Sequence, residues 1–167
     1  MDDRTVNLVG ALALACADDI TSAVKASSQQ GASAPAALIT LLAYPNETVD
    51  ALSKVLRLTG SGTVRLVDRL VAAGFVERCP GHDGRSVALR LTSIGERAAE
   101  QSLADRRAVV RQSLAPLTFS EQNELGRLVE KILHGITRDR RHADFICRLC
   151  DYDRCPQDFC PVEQAVI

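Results

Sequence analysis

Residues 47–92 constrain the fold more than any other stretch. ETVDALSKVLRLTGSGTVRLVDRLVAAGFVERCPGHDGRSVALRLT holds two short amphipathic patterns, then two alternating segments joined by a Gly-containing loop. Asn46 is suited to cap a helix from Glu47 to about Leu56, with Val49, Leu52 and Leu56 as its buried stripe. A second helix is expected over 60–73, with Val64, Val67, Leu70 and Val71 inward and Gly74 as a left-handed cap. Only Arg57-Leu58-Thr59 separate the two, which forces the helices to cross at a steep angle. Residues 75–78 then start a strand, Pro80-Gly81-His82-Asp83-Gly84 is a turn-rich tip, and 86–91 alternates back with Val87, Leu89 and Leu91 inward. A helix-turn-helix carrying a β-hairpin is the outline of a DNA-binding winged helix.

Charge distribution agrees with that outline. The whole chain has a net charge of −1, but Lys54 to Arg90 carries a net +4 and the remainder −5. A basic patch on a mildly acidic body suits a protein that meets phosphates with one surface.

The flanking sequence reads as helix. Residues 4–29 hold no Pro and one Gly, and Val6, Leu8, Val9, Leu12, Ala15, Ile20 and Val24 recur at helical spacing. This helix is apolar on two sides, which suggests burial between partners. Its segment LVGALALACA resembles the apolar part of a signal peptide, but Asp2 and Asp3 precede it where positive charge is needed, so a cytoplasmic location is expected. No stretch reads as a membrane-spanning helix of roughly 20 apolar residues. AALITLLAY (36–44) is a short buried helix stopped by Pro45. Ser93 with Glu96, and Thr118 with Glu121, form capping boxes for helices over 94–115 and 119–137. In the latter, Leu125, Leu128, Val129, Ile132, Leu133 and Ile136 make an apolar seam, which fits either a dimer interface or the chain's own core. The expected fold is therefore mainly α with a small β-hairpin wing. Its parts are an N-terminal dimerisation helix and loop (1–35), a winged helix-turn-helix (36–92), C-terminal dimerisation helices (93–140) and a Cys-rich tail (141–167).

Residues 48–97 resemble the MarR family of winged-helix transcriptional regulators. The resemblance rests on LVDRLVAAGFVER (66–78) and DGRSVALRLTSIGE (83–96), and the flanking helices extend it over about 4–137. It implies a homodimer joined by N- and C-terminal helices, bound to double-stranded DNA at a palindromic operator. Each recognition helix would enter a major groove and each wing a minor groove. It also implies a repressor of a kind often released by a small-molecule effector or by thiol oxidation. No Ser/His/acid set, paired carboxylates or Gly-rich phosphate loop appears in the sequence, and three scattered histidines do not suggest catalysis, so no enzymatic activity is expected. One departure stands out: Arg57 occupies the turn where the family commonly has Gly, so the turn either differs or aims a charge at phosphate.

On the second helix, Ser61, Thr63, Arg65 and Arg69 lie off the expected buried stripe. Ser61 and the N–H groups around it suit a phosphate, unless Ser61 is a plain cap. Thr63 suits a thymine methyl and Arg65 a guanine edge. Arg69 either faces DNA or pairs with Asp68 or Asp105. The resemblance places Arg85 in the minor groove and Asp83 as the acid that orients it.

A plain DNA-binding reading leaves one motif unexplained: Cys147, Cys150, Cys155 and Cys160, spaced C-x2-C-x4-C-x4-C. In a reducing compartment clustered thiols are more often metal ligands than disulfides. The spacing is that of a zinc knuckle with Cys in place of its His, and Cys-Pro, present twice, is also a habit of iron–sulfur ligands. Zinc, an iron–sulfur cluster and a redox-active dithiol all stay open. Cys16 reads as a buried small hydrophobe, and Cys79 lies at the wing base. Two rival classes remain. One is a thiol–disulfide oxidoreductase using Cys147 and Cys150, which would need the pair to start a helix after a strand. The other is a winged-helix interaction module without DNA binding.

Overall fold

The computed structural model describes residues 2–81 and 86–167, apart from the side chains of Ser27 and Ser28. A long α1 (Asp3–Ser28) leads into α2 (Ala34–Ala43), a two-residue β1 (Glu47–Thr48), α3 (Val49–Leu56) and α4 (Gly60–Ala72). The hairpin strands β2 (Val76–Pro80) and β3 (Val87–Leu91) follow, then α5 (Ser93–Leu114) and α6 (Phe119–Ile136). A C-terminal lobe holds α7 (Arg140–Cys147), one 3-10 turn (Gln157–Phe159) and α8 (Pro161–Gln164). The mainly helical fold with a β-hairpin wing is as expected, with a third strand added.

The core is built on α2. All of Ala34 to Leu41 are buried, because this helix lies among α1, α3, α5 and β3 and has no solvent face to supply. Leu38, Ile39, Leu41, Leu52, Leu66, Leu70 and Leu89 are the large side chains shut away there. Each contributes about 1.5–3 kcal/mol by leaving water.

Local signals in the sequence hold where they rest on backbone chemistry. Gly74 takes φ +75°, which closes α4, and Thr118 with Glu121 forms a complete capping box on α6. Elsewhere the caps shift by a residue or two. Asn46 does not cap α3; it sits at φ 68° and accepts from Arg90 Nε and Nη2 at 3.2 and 2.9 Å. Glu47 and Thr48 pair with Leu89 and Ala88, making β3 the centre of a three-stranded antiparallel sheet ordered β1-β3-β2. Thr48 then caps α3 by accepting from Ala51 N. Likewise Thr92, not Ser93, caps α5, and its hydroxyl also donates to Gly74 O at 2.6 Å. A β-bonded residue makes the better N-cap because its backbone is already extended.

Two helices keep apolar faces in water. On α1, Val6, Leu8, Val9 and Leu12 are 49–55 % exposed, and α6 has no buried residue at all. Of the seam on α6, Leu133 packs partly on the C-terminal lobe, while Leu128, Val129, Ile132 and Ile136 stay 40–54 % exposed. By length and composition residues 3–26 would also suffice to cross a membrane, contrary to the sequence expectation, because the run of Ala and Leu offsets its scattered charges.

Candidate nucleic-acid interface and thiol cavity

Helix α4 presents one face outward, and its phase is the decisive detail. Thr63, Leu66, Val67 and Leu70 are buried, while Ser61, Val64, Arg65, Asp68 and Arg69 are exposed. Thr63 is fully enclosed and donates its hydroxyl to Thr59 O at 3.0 Å, so it has no base-facing position. Val64, expected inward, is 43 % exposed instead. The buried face keeps Val67 and Leu70 and moves toward Thr63 and Leu66, by less than the roughly 100° between successive residues, and a Thr that bonds its own i−4 carbonyl can be buried there without an orphaned hydroxyl.

The cap is Thr59, which accepts from Gly62 N at 3.1 Å. Ser61 is thus not the cap; its hydroxyl is 3.4 Å from that of Thr59 in the exposed first turn. First-turn N–H groups of a helix point outward and favour an anion. Asp68 pairs with Arg78 of β2 at 2.7 Å, not with Arg69, so this ion pair ties the outer face of α4 to the wing. Asp83 and Arg85, with His82, lie outside the described residues. Replacing Thr63 with Ala is expected to cost about 1 kcal/mol, for one buried methyl and a shared hydrogen bond. Denaturation midpoints should fall while the base preference of any DNA complex stays unchanged; an altered preference would return Thr63 to the interface.

The C-terminal lobe folds back onto α3 of the same chain. Arg57, at φ 52°, takes the left-handed conformation a Gly would take in this turn. The residue is exposed, but its guanidinium is laid on the C-terminal lobe. The guanidinium carbon lies 4.3 Å from the centroid of the Phe145 ring, and Nη2 donates to Arg141 O at 3.5 Å. Arg148 reaches the same ring at 3.9 Å. A second tie runs from Gln157 Nε2 to Tyr44 Oη at 2.6 Å, beside an edge-on Tyr44–Tyr152 contact at 5.3 Å.

Between lobe and α3 lies a cavity of about 280 Å³, and all four tail cysteines line it. They reach it from separate places: Cys147 ends α7, Cys150 and Cys155 lie in the following turns, and Cys160 precedes α8. Cys147 hydrogen-bonds Cys150 and Cys160, and Cys160 in turn bonds Cys155. Among the described residues no group of three His, Cys, Asp or Glu is already spaced to hold a metal ion. The hydrogen bond from Cys147, helped by Arg106 and Arg148 against the cost of burial, pulls Cys150 down to about 7. The same bond, with burial, pushes Cys147 well up, while burial and the neighbouring Cys160 push Cys155 up to about 11. The Cys147/Cys150 pair follows a helix rather than a strand and does not start one, so the setting an oxidoreductase needs is not formed. Cys16 is half-exposed, not buried, and Cys79 at the wing base lies 3.7 Å from Glu77.

Sequence reasoning missed Val64 on the outer face and the docking role of Arg57. No pattern signal marks either, since a lone Val in an amphipathic run reads as core and an Arg in a turn reads as solvent-facing.

Residues 31–86 match the family model described as MarR family. A MarR family protein from Bacillus stearothermophilus shares the fold with a TM-score of 0.69 and 26 % identity, covering 83 % of this chain and 99 % of that one. Wild-type MarR (apo form) from E. coli matches at 0.60 and 26 %, covering 74 % and 96 %. RV1404 from Mycobacterium tuberculosis matches at 0.71 over 83 % and 96 %, at 19 % identity, a likeness of fold alone. No curated protein matches the sequence.

Proposed function

We propose that this chain, which matches the MarR family model over residues 31–86 and shares the winged-helix fold of solved MarR family members, is a cytoplasmic DNA-binding transcriptional repressor. It acts as a homodimer on a palindromic operator, with α4 in the major groove and the wing in the minor groove. The observation that carries this reading is the outward face of α4, where Ser61, Val64, Arg65 and Arg69 stand exposed around a capped N-terminus. Ser61 and the free N–H groups of the first turn would take a phosphate. Val64 supplies the apolar contact to a thymine methyl first assigned to Thr63, and Arg65 the bidentate contact to guanine. Arg69, further along the helix, would meet the backbone. Asp83 and Arg85 remain the residues the family resemblance assigns to the wing. No enzymatic step is part of this reading.

The uncovered apolar faces of α1 and α6 support the homodimer. Exposed apolar surface of that extent on a soluble protein usually marks an interface. The thiol cavity supports control of DNA binding by zinc, an iron–sulfur cluster or thiol redox state, beside or instead of a small-molecule effector.

The test is binding to a palindromic duplex selected from a random library, measured across a salt series. Specific binding that weakens steeply with salt is expected. Arg65→Ala should weaken it by roughly 10- to 100-fold, the worth of one bidentate base contact, with the loss concentrated at one base position. Absence of duplex binding at low salt would leave the winged helix as a protein-interaction module.

A further inference from the structure

We propose that the four thiols facing the cavity between α3 and the C-terminal lobe hold one metal centre, a zinc ion or an iron–sulfur cluster, and that Arg57 transmits its loading to the DNA-binding unit of the same chain. The coupling rests on the DNA-binding reading above; the metal site does not.

The lobe itself argues for a centre. Its buried cluster is only Ala143, Cys160 and Val162, with Leu133, Ile146, Cys147 and Val166 packed partly against them. Segments of this size rarely hold a fixed shape on so small a core, and natural ones add disulfides or a metal. All four thiols are free of disulfides, and although they come from separate turns of the lobe all four line one cavity. Four thiolates are the donor set of a closed zinc site and of a cubane cluster alike. Loading is redox-neutral for the protein: sulfur–metal bonds form, each thiol proton passes to solvent, and a cluster brings its own inorganic sulfide.

The path to DNA is short. Cys147 ends the helix that carries Phe145, and Phe145 holds the side chain of Arg57. Arg57 is the left-handed residue of the turn, two positions before Thr59, which caps α4. A centre that orders α7 therefore sets the turn from which the recognition helix starts. This contact lies within one chain and does not pass through the dimer helices.

The full-length protein, purified without oxygen, should contain one centre per chain: colourless with one zinc, or brown with iron and acid-labile sulfide. The double variant Cys147→Ser/Cys155→Ser should lose it. Stripping the metal with a chelator should change wild-type affinity for a selected palindromic duplex at least tenfold. Arg57→Gly, which suits the positive φ and removes the stack, should keep the centre but respond less than twofold, and Phe145→Leu should do the same. Neither metal in the isolated protein nor after anaerobic reconstitution overturns the site. An equal response in wild type and both variants overturns the Arg57 path. A wild type that carries the metal but binds no duplex overturns the DNA-binding reading and the path with it, leaving the site established.

Discussion

Replacing Ile132 with glutamate is expected to leave the protein monomeric and to weaken operator binding by about 10²–10⁴-fold. Ile132 is 54 % exposed on α6, flanked by Leu128, Val129 and Ile136 at 40–51 %. Within one chain these four stay about half in water, while Leu133 beside them packs on the C-terminal lobe. In a two-fold dimer each position recurs on the partner, so one substitution places two carboxylates in the interface. Removing a carboxylate from water without a partner costs several kcal/mol, and a two-fold interface carries that cost twice. A monomer then engages one half-site at a time, and the gain from joining two half-site contacts is lost. Sedimentation velocity and duplex titration check both halves of the expectation. An unchanged dimer with unchanged affinity would show that α6 is not the seam.

Gly95→Ala is expected to destabilise the fold by about 3 kcal/mol, the upper end of the cost of overpacking. Gly95 lies in the first turn of α5, buried against the main chain where α4 hands over to β2. A methyl group there would collide with the carbonyl oxygen of Phe75 and come within 2.9 Å of its carbon and 3.2 Å of Leu91 Cδ2. That carbonyl cannot turn away, because it accepts from Thr92 N at 3.0 Å while Phe75 N is held by Leu70 O at 2.9 Å. The strain falls on the joint that aims both α4 and the hairpin. A lower urea midpoint with an unchanged slope is the expected result. A midpoint equal to wild type would mean that α5 can slide off Phe75, and so that this joint is loose.

The features legible in the sequence share one property: their cause lies within a few residues. Thr118 and Glu121 satisfy each other's backbone across three positions, and Gly74 accepts a backbone angle other residues avoid. The same holds for the apolar row on α6, whose spacing is the helix's own. The phase of α4 was not legible in this way. Val64 and Thr63 are neighbours, and ordinary hydrophobicity puts Val inward, yet the helix packs through Thr63, Leu66, Val67 and Leu70. The choice is made by α3 and β2, against which α4 packs, and no pattern within α4 records it. β1 escaped for a similar reason, since two residues become a strand only because β3 has an edge to offer them.

By itself, then, the sequence determined a winged helix-turn-helix between long helices, the apolar row on α6 and the four tail thiols, because periodicity, caps and cysteine spacing act over short range, while the exposure of that row was left to the structure. Tertiary structure alone decided which face of α4 looks outward and where the tail goes. The four cysteines fold back onto α3, and Arg57, an arginine in a turn by sequence, becomes the contact between that tail and the start of the recognition helix. The second decision depends on residues 80 or more positions apart meeting in space, Arg57 with Arg141 and Phe145, and the first on what packs around α4, so no pattern within one element carries either.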